Sequence, residues 1–189
     1  MNFIRVEDVI PPADYSKIIN EDREKVIALK KKRRITTENF SFLFENMETV
    51  LNQVNEMMFV ENVTDPSETK HLVETYNTLL PQENFLSVSM FIEISDEKEL
   101  LKSMPLLSGI EKSVYLIFGN HEIRATPEEG RSTETLESTL QYLRIYFTKE
   151  DADLFKKSKN AFLSTKHKNY SETALISGSL LEELKSEIY

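Results

Sequence analysis

The chain contains no cysteine. That excludes disulfides, thiolate zinc sites, iron–sulfur clusters ligated by its own cysteines, and cysteine nucleophiles. Glycine is nearly as scarce, with four residues at 109, 119, 130 and 178 and no two close together. A Walker A loop or a GxGxxG turn needs clustered glycines to bring backbone N–H groups against phosphate, so neither is present. No GxSxG elbow occurs either. No run approaches the ~18 apolar residues of a membrane span. The start, Met1 to Asp8, lacks a basic region followed by an apolar core, so no signal peptide is expected. With neither cysteine nor signal, the expected location is the cytoplasm.

What is present is an ordinary globular balance. The 189 residues are 40% hydrophobic and 29% charged, which suits a single domain over 1–189 with an irregular lead-in over 1–14. The net charge of −9 disfavours nucleic acid and anionic lipid at long range. The charge is uneven, for residues 1–34 hold nine Lys/Arg against six Asp/Glu. The basic excess is Lys30-Lys31-Lys32-Arg33-Arg34. On so acidic a chain, this run reads as a solvated helix end complementing the macrodipole rather than an RNA contact.

Periodicity predicts alternating helices and strands. Tyr15, Ile18, Ile19, Val26 and Leu29 form one helical stripe, broken by Asp22, for a helix over 15–33 capped by Asp14. Phe40, Phe42 and Phe44 alternate as a strand. Asn46 caps a helix over 47–61, and Asp65 with Pro66 opens a third. A strand over 85–94 and a short helix over 97–104 follow. Ser113–Phe118, Gly119-Asn120 and His121–Thr126 form a hairpin with a type II′ turn. Pairing Phe118 with His121 sets Leu116 opposite Ile123 and leaves one face apolar, which fixes the register. Further strands are expected over 139–147, 162–167 and 171–176, with helices over 149–158 and 180–188, the last capped by Ser179. Frequent hairpins without strict strand–helix alternation imply an α+β fold: a mostly antiparallel sheet of about seven strands with helices packed on it.

Few constellations carry chemistry. Glu68 and His71 form ExxH, a di-iron half-site when repeated, but no second ExxH exists and Glu68 has a competing place in the helix cap. His121 and Glu122 are adjacent in a strand and point to opposite faces. No metal site and no cofactor are therefore expected. Glu45, Glu56, Glu93, Arg131 and Arg144 are candidates for carboxylate–arginine pairing, which marks structural ion pairs and functional sites alike.

An ordered set of segments resembles a known family. These are Arg23 to Lys30, Arg33-Arg34, Leu43 to Asn46, Thr49-Val50, Gln53, Glu56-Met57, Tyr76-Asn77 with Leu79 and Pro81, and Phe91 to Glu93. Gly109 to Glu111, Gln141 to Arg144, and His167 with Tyr170 complete it. Together they look like an uncharacterised bacterial family, the domain-of-unknown-function family numbered 3501. The chain departs from the usual pattern at Met58-Phe59, where an arginine is expected, and at His71. The resemblance implies ligand-binding candidates at Glu45, Asn46, Glu56, Tyr76, Arg131 and Tyr142 and names no catalytic residue. It also implies a non-enzymatic accessory or interaction protein, with a redox protein partner of the rubrerythrin or iron–sulfur oxidoreductase kind. The second reading is a small-ligand-binding protein or enzyme with a carboxylate/Tyr/Arg pocket, metal-dependent or not. The ligand, the reaction and the oligomeric state are left open by the residues.

Overall fold

The computed structural model describes residues 3–128 and 139–189. The chain gathers into two compact units, Met1–Arg33 with Glu45–Pro81, and Arg34–Phe44 with Gln82–Tyr189.

The first unit is helical. Helices α1 (Pro12–Lys32), α2 (Met47–Val60) and α3 (Pro66–Asn77) follow a short 3₁₀ turn at Val6–Asp8. Helix α1 begins earlier than the Asp14 cap predicts, because Pro12 occupies its first position, where the fixed φ suits a helix and no N–H is missed. Asn46 caps α2 as expected: its side chain accepts from Thr49 N–H, and the Thr49 hydroxyl accepts from Asn46 N–H. Asp65 likewise accepts from Ser67 and Glu68 N–H at the start of α3. The lead-in is tied down by two asparagines. Asn77 exchanges a pair of hydrogen bonds with Ile4, both 2.9 Å, and the Asn55 oxygen accepts from Ile10 N–H at 3.0 Å.

The second unit is α+β, with two antiparallel sheets in place of the one expected. Strands β1 (Arg34–Thr36), β2 (Phe40–Phe44), β3 (Phe85–Ile92), β6 (Thr126–Pro127) and β7 (Leu140–Tyr146) make the first, in the order β1-β2-β3-β7-β6. Strands β4 (Val114–Phe118), β5 (His121–Arg124), β8 (Ala161–Lys166) and β9 (Ser171–Ile176) make the second, in the order β5-β4-β8-β9. Nine strands are thus described where about seven are expected. The two extra ones, β1 and β6, are edge strands of three and two residues, too short to show an alternating pattern. Phe40, Phe42, Phe44, Leu86, Val88 and Met90 from one sheet share a buried core with Val114, Leu116, Phe118 and Leu163 from the other.

Helices α4 (Glu97–Ser103), α5 (Lys149–Lys157) and α6 (Gly178–Ser186) belong to this unit. Phe155 of α5 and Leu181 and Leu184 of α6 enter the same core. Helix α6 starts earlier than the Ser179 cap predicts: Ser177 holds the N-cap position without a side-chain capping bond, and Gly178 follows with a φ of 60°, which glycine adopts without strain. The hairpin register holds as predicted, with Phe118 opposite His121 and Leu116 opposite Ile123. No described helix is long and apolar enough to cross a membrane.

Candidate functional site

Helix α1 has a mixed surface. Only Pro12 and Tyr15 are fully buried on it, and Ile18 and Ile27 of its apolar residues are exposed. Its partner α2 instead carries a polar stripe of Thr49, Asn52 and Glu56 at i, i+3 and i+7, with Glu45 just ahead of the Asn46 cap bonded to Thr49. The two helices run antiparallel and join through a ladder of hydrogen bonds.

At one end, Arg23 grips Glu56 through two nitrogens, at 2.8 and 2.7 Å. The buried Tyr15 hydroxyl lies 2.9 Å from Glu56 Oε1 and 3.0 Å from Asp22 Oδ2. In the middle, Asn52 accepts from Lys30 Nζ at 2.9 Å and donates to Asp22 Oδ2 at 3.2 Å. At the far end, the Glu45 carboxylate accepts from the Thr49 hydroxyl at 2.5 Å and from Gln53 at 3.0 Å. The fully buried Arg33 donates to the Glu45 carbonyl at 3.3 Å. Charged groups are held in this seam because each brings hydrogen-bonding partners that repay part of its desolvation.

The ladder sets proton affinities away from neutrality. Burial, reinforced by the adjacent Glu56 and Asp22, pushes the Tyr15 phenol far above its ordinary range. The Arg23 hydrogen bonds hold Glu56 below the usual carboxylate range, against the opposing effect of its burial. A general acid or base works best with a pKa near the operating pH. Tyr15 and Glu56 are moved the other way, so their arrangement suits holding and orienting rather than proton transfer.

Beside the ladder, α1, α2 and the lead-in enclose an open cleft of about 320 Å³. Val26, Leu29 and Leu51 give it apolar walls, and Asp22, Lys25, Glu48, Asn52 and Asn55 give it polar ones.

The structure brings three of the sequence candidates onto one stretch of chain: Glu45 and Asn46 at the start of α2 and Glu56 near its end. Tyr76 sits half-buried in the last turn of α3. Tyr142 is a buried residue of β7 in the other unit, and Arg131 lies outside the described residues. Glu45, Asn46, Glu56, Tyr76 and Tyr142 are not among the residues lining the cleft. Sequence reasoning missed Tyr15, Lys30, Asn52 and Asn55 as site residues. The one signal available was Asp22, a charge interrupting the apolar stripe of α1.

The basic run is not a uniformly solvated helix end. Lys30 bonds Asn52, Arg33 is buried, and Arg34 opens β1, where it donates to Ser41 at 3.1 Å and lies over the Phe91 ring. Among the described residues, no three His, Asp or Glu side chains cluster as metal ligands.

The model of the family described as a protein of unknown function (DUF3501) matches residues 3–188, so the chain belongs to that family. A solved structure, the crystal structure of a novel protein of unknown function from Burkholderia pseudomallei K96243, is similar with a TM-score of 0.91. It is 22% identical over 100% of both chains, a likeness that shows the shared fold. No curated protein matches the chain.

Proposed function

We propose that this member of the DUF3501 family is a small-molecule-binding protein whose site is the cleft between α1 and α2. The observation that carries the reading is the cleft itself, about 320 Å³ with apolar walls and convergent polar groups. That volume falls near the lower end of the ~300–1,000 Å³ typical of small-ligand pockets, so the ligand is small. The ladder behind it supports binding over catalysis, since Tyr15 stays a phenol and Glu56 a carboxylate at neutral pH. The hydrogen-bonded rows of Asn52, Asp22 and Lys30 pre-order one wall and reduce the entropy lost when a ligand docks.

The test is native mass spectrometry, with elemental analysis, on protein isolated gently from its own host. The expected result is a non-protein mass retained by the wild-type chain and lost from a Val26→Phe variant that melts at the same temperature. A bare polypeptide mass overturns the proposal. So does a stoichiometric iron–sulfur protein as the sole companion, which would return the protein to the accessory reading implied by the family resemblance.

A further inference from the structure

Four polar groups that border the cleft have hydrogen-bonding capacity left over. Asn55 is the most telling, because its residue surface is only 4% exposed. Its orientation is fixed by chemistry: Ile10 N–H is a donor, so the amide oxygen must face it, at 3.0 Å. The amide nitrogen, with two N–H donors, then has no acceptor among the described residues. That nitrogen is not sealed in the interior: Asn55 lines the cleft, so its donors are open to water or to a ligand there. Lys25 lines the same cleft with no acidic partner among the described residues. These two supply donors.

The acceptors are Asp22 and Glu48. Both hydrogen bonds to Asp22 arrive at Oδ2, from Tyr15 and Asn52, which leaves Oδ1 for a ligand. Glu48 stands exposed in the first turn of α2 without a basic partner among the described residues. Val26, Leu29 and Leu51 add an aliphatic wall.

Resting on the binding reading above, we infer that the cleft takes a small aliphatic zwitterion, an α-amino acid with an apolar side chain. Its carboxylate meets Lys25 and the Asn55 amide, its ammonium meets Asp22 and Glu48, and its side chain lies on Val26, Leu29 and Leu51. The balance of charge selects this class. A dicarboxylate would set its second anion against Asp22 and Glu48, and a diamine would set its second cation against Lys25.

The experiment titrates the full chain calorimetrically with L-leucine, isovalerate and isoamylamine, which carry both charged groups, the carboxylate alone and the ammonium alone. Leucine is expected to bind more tightly than either fragment. Lys25→Met should weaken leucine about tenfold while leaving isoamylamine unchanged, and Glu48→Gln should weaken leucine while leaving isovalerate unchanged. Both positions are exposed, so the variants should keep the wild-type melting temperature. Absence of leucine binding at millimolar concentration overturns the inference, as does leucine binding that ignores both substitutions. If leucine fails but native mass spectrometry still finds another molecule that Val26→Phe excludes, the ligand class is wrong and the binding reading stands. If neither appears, both fall.

Discussion

Arg23 and Glu56 meet edge to edge, Nε 2.8 Å from Oε1 and a terminal nitrogen 2.7 Å from Oε2, and so join the middle of α1 to the end of α2. The pair is part of why these two helices associate, since α1 buries so little apolar surface. Because Arg23 and Tyr15 favour the ionised form, the Glu56 carboxyl is held below its ordinary value in the folded chain. A depressed carboxylate stabilises the fold fully above the unfolded pKa, about 4.3, and loses that contribution as pH falls through the folded value. Glu56→Gln should therefore lower the melting temperature by a few degrees at pH 7. The gap from wild type should close as the pH drops well below the carboxylate range. Melting curves followed by circular dichroism across that range check both statements.

Tyr15 should behave as a phenol throughout the working range. Its hydroxyl is buried between Glu56 and Asp22, and an anion there would be both desolvated and repelled. In a spectrophotometric titration of the folded protein, wild type and Tyr15→Phe should show the same phenolate absorbance until alkaline unfolding begins. The variant should nevertheless be less stable by about 1–2 kcal/mol, because two carboxylates lose a hydrogen-bonding neighbour. A larger phenolate amplitude in the folded wild type would show that Tyr15 titrates and that the ladder is open to solvent.

Much of this fold was legible because local rules and packing agree. Asn46, Asp65, Asp96 and Thr148 cap their helices as their side-chain chemistry predicts. The hairpin register followed from keeping Leu116 and Ile123 on one face. The division into two sheets was not legible, because strand partners such as β3 and β7 are separated by some fifty residues of chain and periodicity is silent on pairing. The site was read only in part. Glu56 was among the candidates, but Asn52 was not, and Tyr15 read as core, since an apolar stripe does not reveal where a hydroxyl points. Lys30 was taken into the basic run for the same reason: a run of like charges hides the member that turns inward to Asn52.

The tip of the β4–β5 hairpin offers a test of backbone strain alone. Gly119 has φ of 56°, in the left-handed region, and a Cβ built there would meet nothing within 4 Å. Space therefore places no limit on substitution, and conformation does. Gly119→Val should cost about 1–2 kcal/mol, the penalty an L residue takes in that region, made worse by β-branching. Gly119→Asn should cost less, since asparagine tolerates that conformation. Urea midpoints should fall in the order Gly, Asn, Val with a constant m-value, which reports stability without a change in the surface exposed on unfolding.

Asp151 does two jobs that can be separated. One oxygen accepts from Thr148 N–H at 2.8 Å and from the Thr148 hydroxyl at 2.7 Å, closing the box at the start of α5. The other lies 2.5 Å from His121 Nε2, tying the hairpin tip to that helix. Burial alone would raise the Asp151 pKa, but the Thr148 and His121 bonds outweigh it and hold the carboxyl below its ordinary value. Thr148→Ala removes the cap and should cost about 1 kcal/mol. His121→Ala leaves the cap and removes only the tie. Followed by carboxyl carbon resonances, the Asp151 midpoint should rise toward the ordinary aspartate range in each single variant and further in the double. The acid stability attached to it is present above the unfolded pKa and lost as pH falls through the folded one, so that share should shrink in the same order. A midpoint unmoved by His121→Ala would mean that the hairpin tip does not hold α5, and that the cap alone sets the charge at this corner.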